Sequence, residues 1–400
     1  MDVQPTVQRL IDKGVRVLAP HSLDVGPEVD IDRISGEGVT IYPGCRIYGA
    51  HTVISSGVTL GQEGTITLED CQLGRGVSLR GGYAARSVFL EGASLGFAAH
   101  VRAGTILEEG VAGRAYVSLK QTILEPFVTL GSHINFCDCH MSGGRSTDEH
   151  SEVGSQYVHF NFTPDGDKTT SSLFGDVPHG VMLDQPPIFL GGQGGSVGPV
   201  MVGFGSVVSA GAVQHEDVGP AMRFSAGPAA RVREHHAPRY YRGLNELVAK
   251  NLLYLANLHC LTAWYAHVRR PFFDTVEFGE HLHRGALEAI DYDRQQRVER
   301  LMAMLGRVPT GNAAAKPMRE HLEQVCRDFA AAPAAPAADL LAALTAGARA
   351  GTGYVESVKA LDPAVRKAGT EWLCGLVDGL WAQAGTVLPA VTKIHRHAFV

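Results

Sequence analysis

The sequence predicts a mainly β solenoid, a left-handed parallel β-helix of hexapeptide repeats, followed by an all-α C-terminal domain. Three observations support this fold class. Most of the 47 glycines lie before residue 230, aliphatic residues in that part recur every six positions, and the apolar period changes to three and four from about residue 236. Because 45% of the 400 residues are hydrophobic and 19% are charged, the chain can bury a core.

The six-residue period predicts the β-helix. Each hexapeptide forms one flat side, three sides complete a coil, and the aliphatic side chains stack inward. A solenoid buries its core only by stacking coils, so residues 20–232 are predicted to form roughly ten of them. An antiparallel sandwich would instead show turns every 8–12 residues. The clearest runs of the period are Ile54, Leu60 and Ile66, and Val111, Val117 and Ile123.

Two helical parts flank the predicted β-helix. Residues 1–19 contain a short helix, from Thr6 to Lys13, and the lead-in to the first coil. Residues 236–400 have few glycines and repeat apolar residues at three and four, as α-helices do. We expect this C-terminal domain to cap the last coil, because the open end of a solenoid exposes apolar side chains.

Charge and cysteine content exclude several classes of protein. The formal net charge of -6 gives no field that would attract nucleic acid or an acidic membrane surface. Seven cysteines without regular spacing, two of them as close as Cys137 and Cys139, do not suggest a disulfide framework. With no signal peptide or membrane span in the sequence, we expect a cytoplasmic protein.

The period breaks between Gly131 and Pro187, and the inserted residues are polar and rich in His, Asn, Asp and Lys. Loops that leave a rigid coil are common places for binding and catalytic residues. The function is therefore expected in the insertions around residues 133–187. Within them, the proline-rich and apolar segment 178–187 is a candidate lid over a cleft.

Five short motifs follow one another in this part of the chain: VRAGT, SLK, SHINF, FNF and GDK. Their order and spacing resemble the acetyltransferase half of bacterial bifunctional glucosamine-1-phosphate acetyltransferase/N-acetylglucosamine-1-phosphate uridylyltransferase. The resemblance covers roughly residues 6–232. The N-terminal uridylyltransferase domain of that family is not found in this sequence, so we do not expect the chain to make a nucleotide sugar by itself.

The resemblance implies an acetyl-CoA-dependent N-acetyltransferase. Its acceptor would be a phosphorylated or nucleotide-linked amino sugar, such as glucosamine-1-phosphate, and no metal is expected. His133 matches the family's general base, and imidazole is the side chain best suited to take a proton from an amine at neutral pH. Asn161 would stabilise the oxyanion together with backbone N–H groups.

The implied acceptor contacts are mostly basic. Arg102 and Lys120 match the residues that bind the acceptor's phosphate, and a guanidinium beside an ammonium suits that anion. Lys168, at the GDK motif, would add a third cation near the sugar. Two further acceptor positions depart from the family: Phe136 replaces a tyrosine, which removes a hydroxyl group, and Glu152 replaces an asparagine, which adds a charge.

The implied cofactor contacts follow the coils. Asn161 and Phe162 match the pair that lies against the acetyl group and the pantetheine arm of acetyl-CoA. Ser155, Gly192 and Ser209 match positions along which CoA runs between solenoids. Because the family's CoA site is completed by an adjacent chain, the resemblance also implies a homotrimer.

Two other functions remain as alternatives. The first is a non-catalytic scaffold that binds a sugar phosphate or CoA, and the substitutions at the two departing acceptor positions would fit a site that has lost activity. The second is a metal-dependent hydratase of the hexapeptide fold, suggested by His140, His150 and His159. The CDCH sequence at 137–140 also has the composition of a zinc site, but zinc needs four ligands and no second pair follows.

Overall fold

The computed structural model describes residues 3–161, 166–225 and 243–393. In these ranges the chain forms a parallel β-solenoid followed by a helical region, so the predicted fold class is confirmed. No helix of the described residues is long and apolar enough to cross a membrane.

All paired strands of the solenoid run parallel, and most have only two to four residues because each forms one side of a coil. In chain order the strands are β1 (Arg16–Val17), β2 (Asp24–Val25), β3 (Thr40–Ile41), β4 (Arg46–Tyr48), β5 (Val53–Ile54), β6 (Thr59–Leu60), β7 (Ile66–Glu69), β8 (Gln72–Leu73), β9 (Ser78–Leu79), β10 (Gly82–Ala85), β11 (Ser87–Phe89), β12 (Ser94–Leu95), β13 (Ala99–Val101), β14 (Thr105–Leu107), β15 (Ala112–Gly113), β16 (Ser118–Leu124), β17 (Thr129–Leu130), β18 (Asn135–Met141), β19 (Glu152–Val153), β20 (Val158–Phe160), β21 (Ser172–Phe174), β22 (Phe189–Leu190), β23 (Gly195–Val197), β24 (Met201–Val202), β25 (Val207–Val208), β26 (Val213–Gln214) and β27 (Arg223–Phe224).

Helices precede, interrupt and follow the solenoid. Short 3₁₀ turns lie at Pro20–Ser22 and Ile31–Arg33, and a π-helical turn, Trp264–Arg269, joins two of the α-helices. The α-helices are α1 (Pro5–Asp12), α2 (Val177–Gly180), α3 (Leu244–Ala263), α4 (Arg270–Phe273), α5 (Gly279–Arg307), α6 (Ala315–Phe329), α7 (Ala338–Leu344), α8 (Ala346–Arg349), α9 (Tyr354–Lys359), α10 (Pro363–Val387) and α11 (Pro389–Thr392).

The strands form three faces. The first face is an eleven-stranded ladder that runs from β1 to β27. The second face contains β2, β4, β7, β10 and β13, the first halves of β16 and β18, and then β20, β23 and β26. The third face contains β5, β8, β11 and β14, the second halves of β16 and β18, and then β21 and β24. The two long strands turn the corner between the second and third faces.

The core of the solenoid is built by the aliphatic residue of each repeat. On the first face these side chains stand directly above one another in consecutive coils, and burying each of them contributes about 1.5–3 kcal/mol. The ladder is broken at Gly113, where a side chain would collide with Leu95 of the preceding coil. Its buried members are Ile41, Leu60, Leu79, Leu95, Leu130, Val153, Leu190 and Val208.

The corner between the first and second faces requires a residue with positive φ in many coils. Such backbone favours glycine, but here several larger residues adopt it, with φ between 53° and 64°. The chain therefore presents a column of side chains at this corner, one per coil. The column contains Ala98, Tyr116, His133, Gln156 and Gln193.

In the described residues the helical region covers the third face, whereas the sequence had led us to expect a cap on the last coil. Helix α5 contacts β8, β11 and β14, and helix α3 contacts β21. Most outward side chains of this face are apolar and share one buried core with the helices. The face needs this cover because an exposed apolar strip of such length would bind other molecules. Those outward residues include Val88, Leu90, Ile106, Ile123 and Leu173.

A buried charge cluster anchors the helices to the solenoid. Arg269, only 1% exposed, places Nη1 3.0 Å from Oε2 of Glu108 and also pairs with Glu109. Its guanidinium stacks on the Tyr354 ring at 3.8 Å, and the Tyr265 hydroxyl donates to Glu108 Oε1 over 2.5 Å. Removing one member would leave buried charge without a partner, so the cluster fixes how the two parts meet.

Candidate active site

Two of the predicted phosphate-binding residues stand on the second face, one coil apart. Arg102 follows β13, and its backbone N–H donates to the carbonyl oxygen of Leu119, which places it beside Lys120. Lys120 pairs in turn with Cys137 of the next coil. Because neighbours such as Leu119 point into the core, the alternation of a strand turns these three side chains outward.

Lys168 joins the same cluster from the inserted segment. The pKa of the Cys137 thiol is raised, chiefly by burial, while the charges of Arg102, Lys120 and Lys168 act in the opposite direction. Arg102 Nη2 lies 4.0 Å from Cys137 Sγ. The charges of all three side chains therefore act on one sulfur atom, and we call Arg102, Lys120 and Lys168 the cation patch.

His133 lies at the other edge of the second face, in the column at the first corner. Its ring is exposed and stacks on the Tyr116 ring of the preceding coil, with centroids 4.7 Å apart and planes at 5°. Tyr116 in turn meets Phe97 edge to face. This stack orients an imidazole that is open to solvent. The positive φ of His133 is shared by the other residues of the corner column and is not special to this residue.

The width of the second face separates His133 from the cation patch. Four residues of extended chain lead from His133 to Cys137, and at roughly 3.3 Å per residue they span about 13 Å. Between them Asn135 points outward and is exposed. Because lysine and arginine side chains can reach several ångströms back across the face, a sugar phosphate lying on Asn135 could contact both edges.

The predicted CoA positions continue along the corner of His133. Ser155 lies in the next coil, where its Oγ accepts from the Ser132 backbone N–H over 3.1 Å. A Cβ at Gly192 would lie 2.6 Å from the Ser155 carbonyl oxygen, so only glycine fits there. Ser209 follows in the coil beyond, with its Oγ 3.0 Å from that of Ser225. We call Ser155, Gly192 and Ser209 the small-residue strip.

A cavity of about 410 Å³ opens on the first face, beside the corner of His133. It is lined largely by small side chains of neighbouring coils, among them Ser94, Ala112 and Ser132, with Arg80 and Arg114 at its rim. Both sides of this corner are thus accessible from outside.

Phe136 departs from its predicted place. It was expected to contact the acceptor, but its side chain is fully buried in the solenoid core. Its ring stacks on Phe174 at 5.8 Å and meets Tyr157 and His159 edge to face. The inward direction follows from strand alternation, because Asn135 and Cys137 on either side point outward. The cation patch is therefore not deprived of a hydroxyl group by the presence of phenylalanine at position 136.

Glu152 and Asn161 are also separated from the residues they were expected to join. Glu152 is exposed on the first face, where β19 pairs with β17 and β22, whereas the cation patch is on the second face. Asn161 directly follows β20 and lies at the opposite edge of the second face from His133. Phe162 lies outside the described residues.

The histidines of the hydratase alternative stand in three different environments. His159 is inside the solenoid, with Nδ1 2.6 Å from the Cys137 carbonyl oxygen and Nε2 2.7 Å from Ser172 Oγ. His140 faces the helices and contacts Glu125 at 3.1 Å, while His150 binds a backbone oxygen in a loop. In the ranges that the structure covers, no group of three His, Cys, Asp or Glu side chains is arranged to hold a metal.

The segment 178–187 is not positioned as a lid. Pro178, Val181 and Met182 are buried, and α2 packs against α3 and α10. The apolar character that suggested a lid instead serves the contact between solenoid and helices.

Sequence motifs gave no indication of two contacts at the site. Tyr116 supports His133, and the only available signal was its place seventeen residues earlier at the same corner. Arg297 of α5 pairs with Asp138, the residue after Cys137, with Nη2 and Oδ1 3.1 Å apart. Such a partner from a distant helix has no local signature in the sequence.

Comparison with known proteins identifies relatives for the solenoid part of the chain. The bifunctional protein GlmU of Clavibacter sepedonicus is 33% identical over 202 residues, which are 50% of this chain and 36% of that protein. GlmU of Nocardia farcinica is 28% identical over 236 residues, or 58% and 43% of the two chains. GlmU of Mycobacterium tuberculosis is 30% identical over 226 residues, or 54% and 41%.

No family model matches the chain. The chain spans about two fifths of the length of these relatives, and a large part of it lies outside the matched regions. The similarity to bifunctional GlmU proteins, together with the parallel solenoid, confirms the family resemblance that the motifs predicted.

Proposed function

We propose that this protein is an acetyl-CoA-dependent N-acetyltransferase whose acceptor is a phosphorylated or nucleotide-linked amino sugar. The observation that carries the proposal is the arrangement of one face: three cations at one edge, His133 at the other, and the small-residue strip continuing from His133. The similarity to GlmU proteins supports it. A glucosamine-1-phosphate-like acceptor carries both an anion and an amine, the two groups that the cation patch and His133 would bind.

The proposed reaction is a direct transfer. The acceptor's phosphate binds the cation patch through charge-assisted hydrogen bonds, which places the amine toward His133. The amine nitrogen attacks the thioester carbonyl carbon as His133 takes the amine proton, and the carbon–sulfur bond then breaks. The departing CoA thiolate receives a proton from the imidazolium, which restores the base. The small-residue strip leaves room for the pantetheine arm.

We also propose that the active form is a homotrimer. Asn161, the group expected to stabilise the oxyanion, lies across the face from His133 of its own chain. An adjacent copy could bring its Asn161 to the corner of His133, where the 410 Å³ cavity leaves space. Closed cyclic symmetry would then produce three equal sites.

The positions of the two residues that differ from the family pattern weaken the alternative that the protein is a non-catalytic scaffold. That hypothesis took Phe136 and Glu152 as signs of a site that had lost its acceptor contacts. Phe136 is in the core and Glu152 is on another face, so neither change removes a group from the cation patch. All three cations are present.

Arg102→Ala and Lys120→Ala test the proposed acceptor site. Each should raise the KM for glucosamine-1-phosphate about 10- to 100-fold, because each removes a charge-assisted contact of about 1.5–3 kcal/mol. The KM for acetyl-CoA should hardly change. Steady-state kinetics would measure both values.

Arg75→Ala is the matched control, since Arg75 is exposed and pairs with Glu91 away from the patch. It should leave both KM values unchanged. Normal binding of glucosamine-1-phosphate and of its nucleotide-linked form by both patch variants would contradict the proposed phosphate site.

A further inference from the structure

Three helical side chains bind consecutive parts of the turn that contains Lys168. Arg307 Nη1 donates to the Gly166 carbonyl oxygen over 3.0 Å, and Arg297 Nη1 donates to that of Lys168 over 2.9 Å. Asn251 of α3 donates from Nδ2 to the Thr169 carbonyl oxygen over 3.1 Å. We call residues 166–169 the Lys168 turn. Its backbone is held by the helical region through three separate hydrogen bonds.

Arg297 also connects this turn to the neighbouring coil. Its Nη2 lies 3.1 Å from Oδ1 of Asp138, and both side chains are buried, with 2% and 5% exposure. Asp138 directly follows Cys137, whose sulfur atom lies 4.0 Å from Nη2 of Arg102 in the cation patch. One guanidinium therefore ties the Lys168 turn to the strand on which the patch is centred.

Lys168 needs this support because of its backbone. Its φ is 55°, in the left-handed region that lysine rarely adopts. A hydrogen bond from a buried arginine to its own carbonyl oxygen fixes this conformation and so fixes where the side chain leaves the turn. The planar fork of arginine suits the task, since its two ends can bind a carboxylate and a carbonyl together.

We propose that Arg297 is a positioning residue for the acceptor site, acting through Lys168, and that the helical region is thereby part of the transferase machinery. This inference rests on the proposed function. Arg297 itself is buried, binds protein groups through Nη1 and Nη2, and does not contact the acceptor. The helices fix the position of Lys168, the third cation of the patch. They thereby contribute to the binding of an anionic sugar a contact that the solenoid alone would not hold in place.

The test is Arg297→Lys, which keeps the positive charge beside Asp138 but cannot bind both partners with a fork. We expect the KM for glucosamine-1-phosphate to rise about tenfold, equivalent to 1.4 kcal/mol, with kcat and the KM for acetyl-CoA nearly unchanged. A general loss of structure would lower kcat and shift the melting temperature instead.

A double-mutant cycle with Lys168→Ala identifies the route of the effect. If Arg297 acts through Lys168, then Arg297→Lys should cause little further loss once Lys168 is absent. Fully additive losses would overturn the proposal, and so would an unchanged KM in Arg297→Lys. Arg300→Lys, one turn along α5, is the control and should leave the KM unchanged.

If Arg297→Lys does not fold, Arg307→Ala replaces it, because Arg307 binds the same turn from a more exposed position. It should raise the same KM, again with no further effect in the Lys168→Ala background, and additive losses would again overturn the proposal. Failure of the proposed function is distinguishable: in that case Arg102→Ala and Lys168→Ala would themselves leave acceptor binding unchanged.

Discussion

His133 owes its position to the corner where the first face turns into the second. The corner imposes positive φ, and the column of corner residues places the Tyr116 ring directly beneath the imidazole. A stacked neighbour limits the rotation of the ring without burying it. The residue is thus oriented and accessible, which are the two properties that a general base needs.

His133→Ala should lower kcat at least about 100-fold and leave the KM for acetyl-CoA nearly unchanged, because the lost interaction belongs to the transition state. Steady-state kinetics with glucosamine-1-phosphate would measure both. His100→Ala is a matched control, since His100 is also exposed on the second face, packed edge to face on Tyr83. An unaltered rate for His133→Ala with any accepted substrate would remove the proposed base.

Helix α5 is the element that joins the two parts of the molecule near the site. It runs beside the corner between the second and third faces, where Gly104 has φ of 75° and a side chain there would collide with Asp293. Asp293 is 2% exposed, and neither of its carboxyl oxygens has a hydrogen-bond partner among the described residues. Burial first and the charge of Asp138 second raise the pKa of Asp293 well above its usual range.

Asp293→Asn should therefore stabilise the fold at neutral pH. A carboxyl whose pKa is raised by folding holds its proton more tightly in the folded state, so wild-type stability falls as pH rises above the ordinary carboxyl range. Asparagine has no such ionisation. We expect the free energy of unfolding of the Asp293→Asn protein to exceed that of the wild type by about 1 kcal/mol or more at pH 7, and the difference to shrink toward pH 4.

Urea unfolding between pH 4 and pH 8 would measure this difference. Asp291→Asn is the control on the same helix, because Asp291 is partly exposed and pairs with Arg294. It should change stability little at any pH. A less stable Asp293→Asn protein at pH 7 would show that the carboxylate is charged and balances Arg297 or Lys120.

At the scale of the whole molecule, the described residues form a solenoid with one covered flank and two open ones. The helices share a single apolar core with the third face, and the Arg269 cluster locks the contact. In a trimer, adjacent copies would have to meet through the first and second faces. These are the faces that border the corner with His133 and the small-residue strip.

Light scattering should give three times the 42.7 kDa mass of the chain. A mixing experiment tests whether the sites are shared. His133→Ala and Asn161→Ala should each be nearly inactive, but co-expressed chains should regain part of the activity, because some interfaces then combine an intact His133 with an intact Asn161. A monomer with full activity, or no recovery in the mixed protein, would contradict shared sites.

The sequence by itself was sufficient to predict the solenoid and the helical region, and the family resemblance supplied the residues of the cation patch as candidates. A hexapeptide period dictates stacking of coils because each repeat can bury its aliphatic residue only against its neighbours. Arg102, Lys120 and His133 lie in consecutive coils, so short motifs about one coil apart in the sequence come to lie on one face.

Only the tertiary structure decided which groups surround these residues. The helices could have closed the end of the solenoid, and they cover its flank because the third face is apolar on its outer side. Phe136 was expected to contact the acceptor, but its side chain points into the core because alternate residues of a strand face opposite sides. The bond from Arg297 to the Lys168 turn joins residues 129 positions apart. Contacts over such separations depend on how whole elements pack, and no local pattern encodes them.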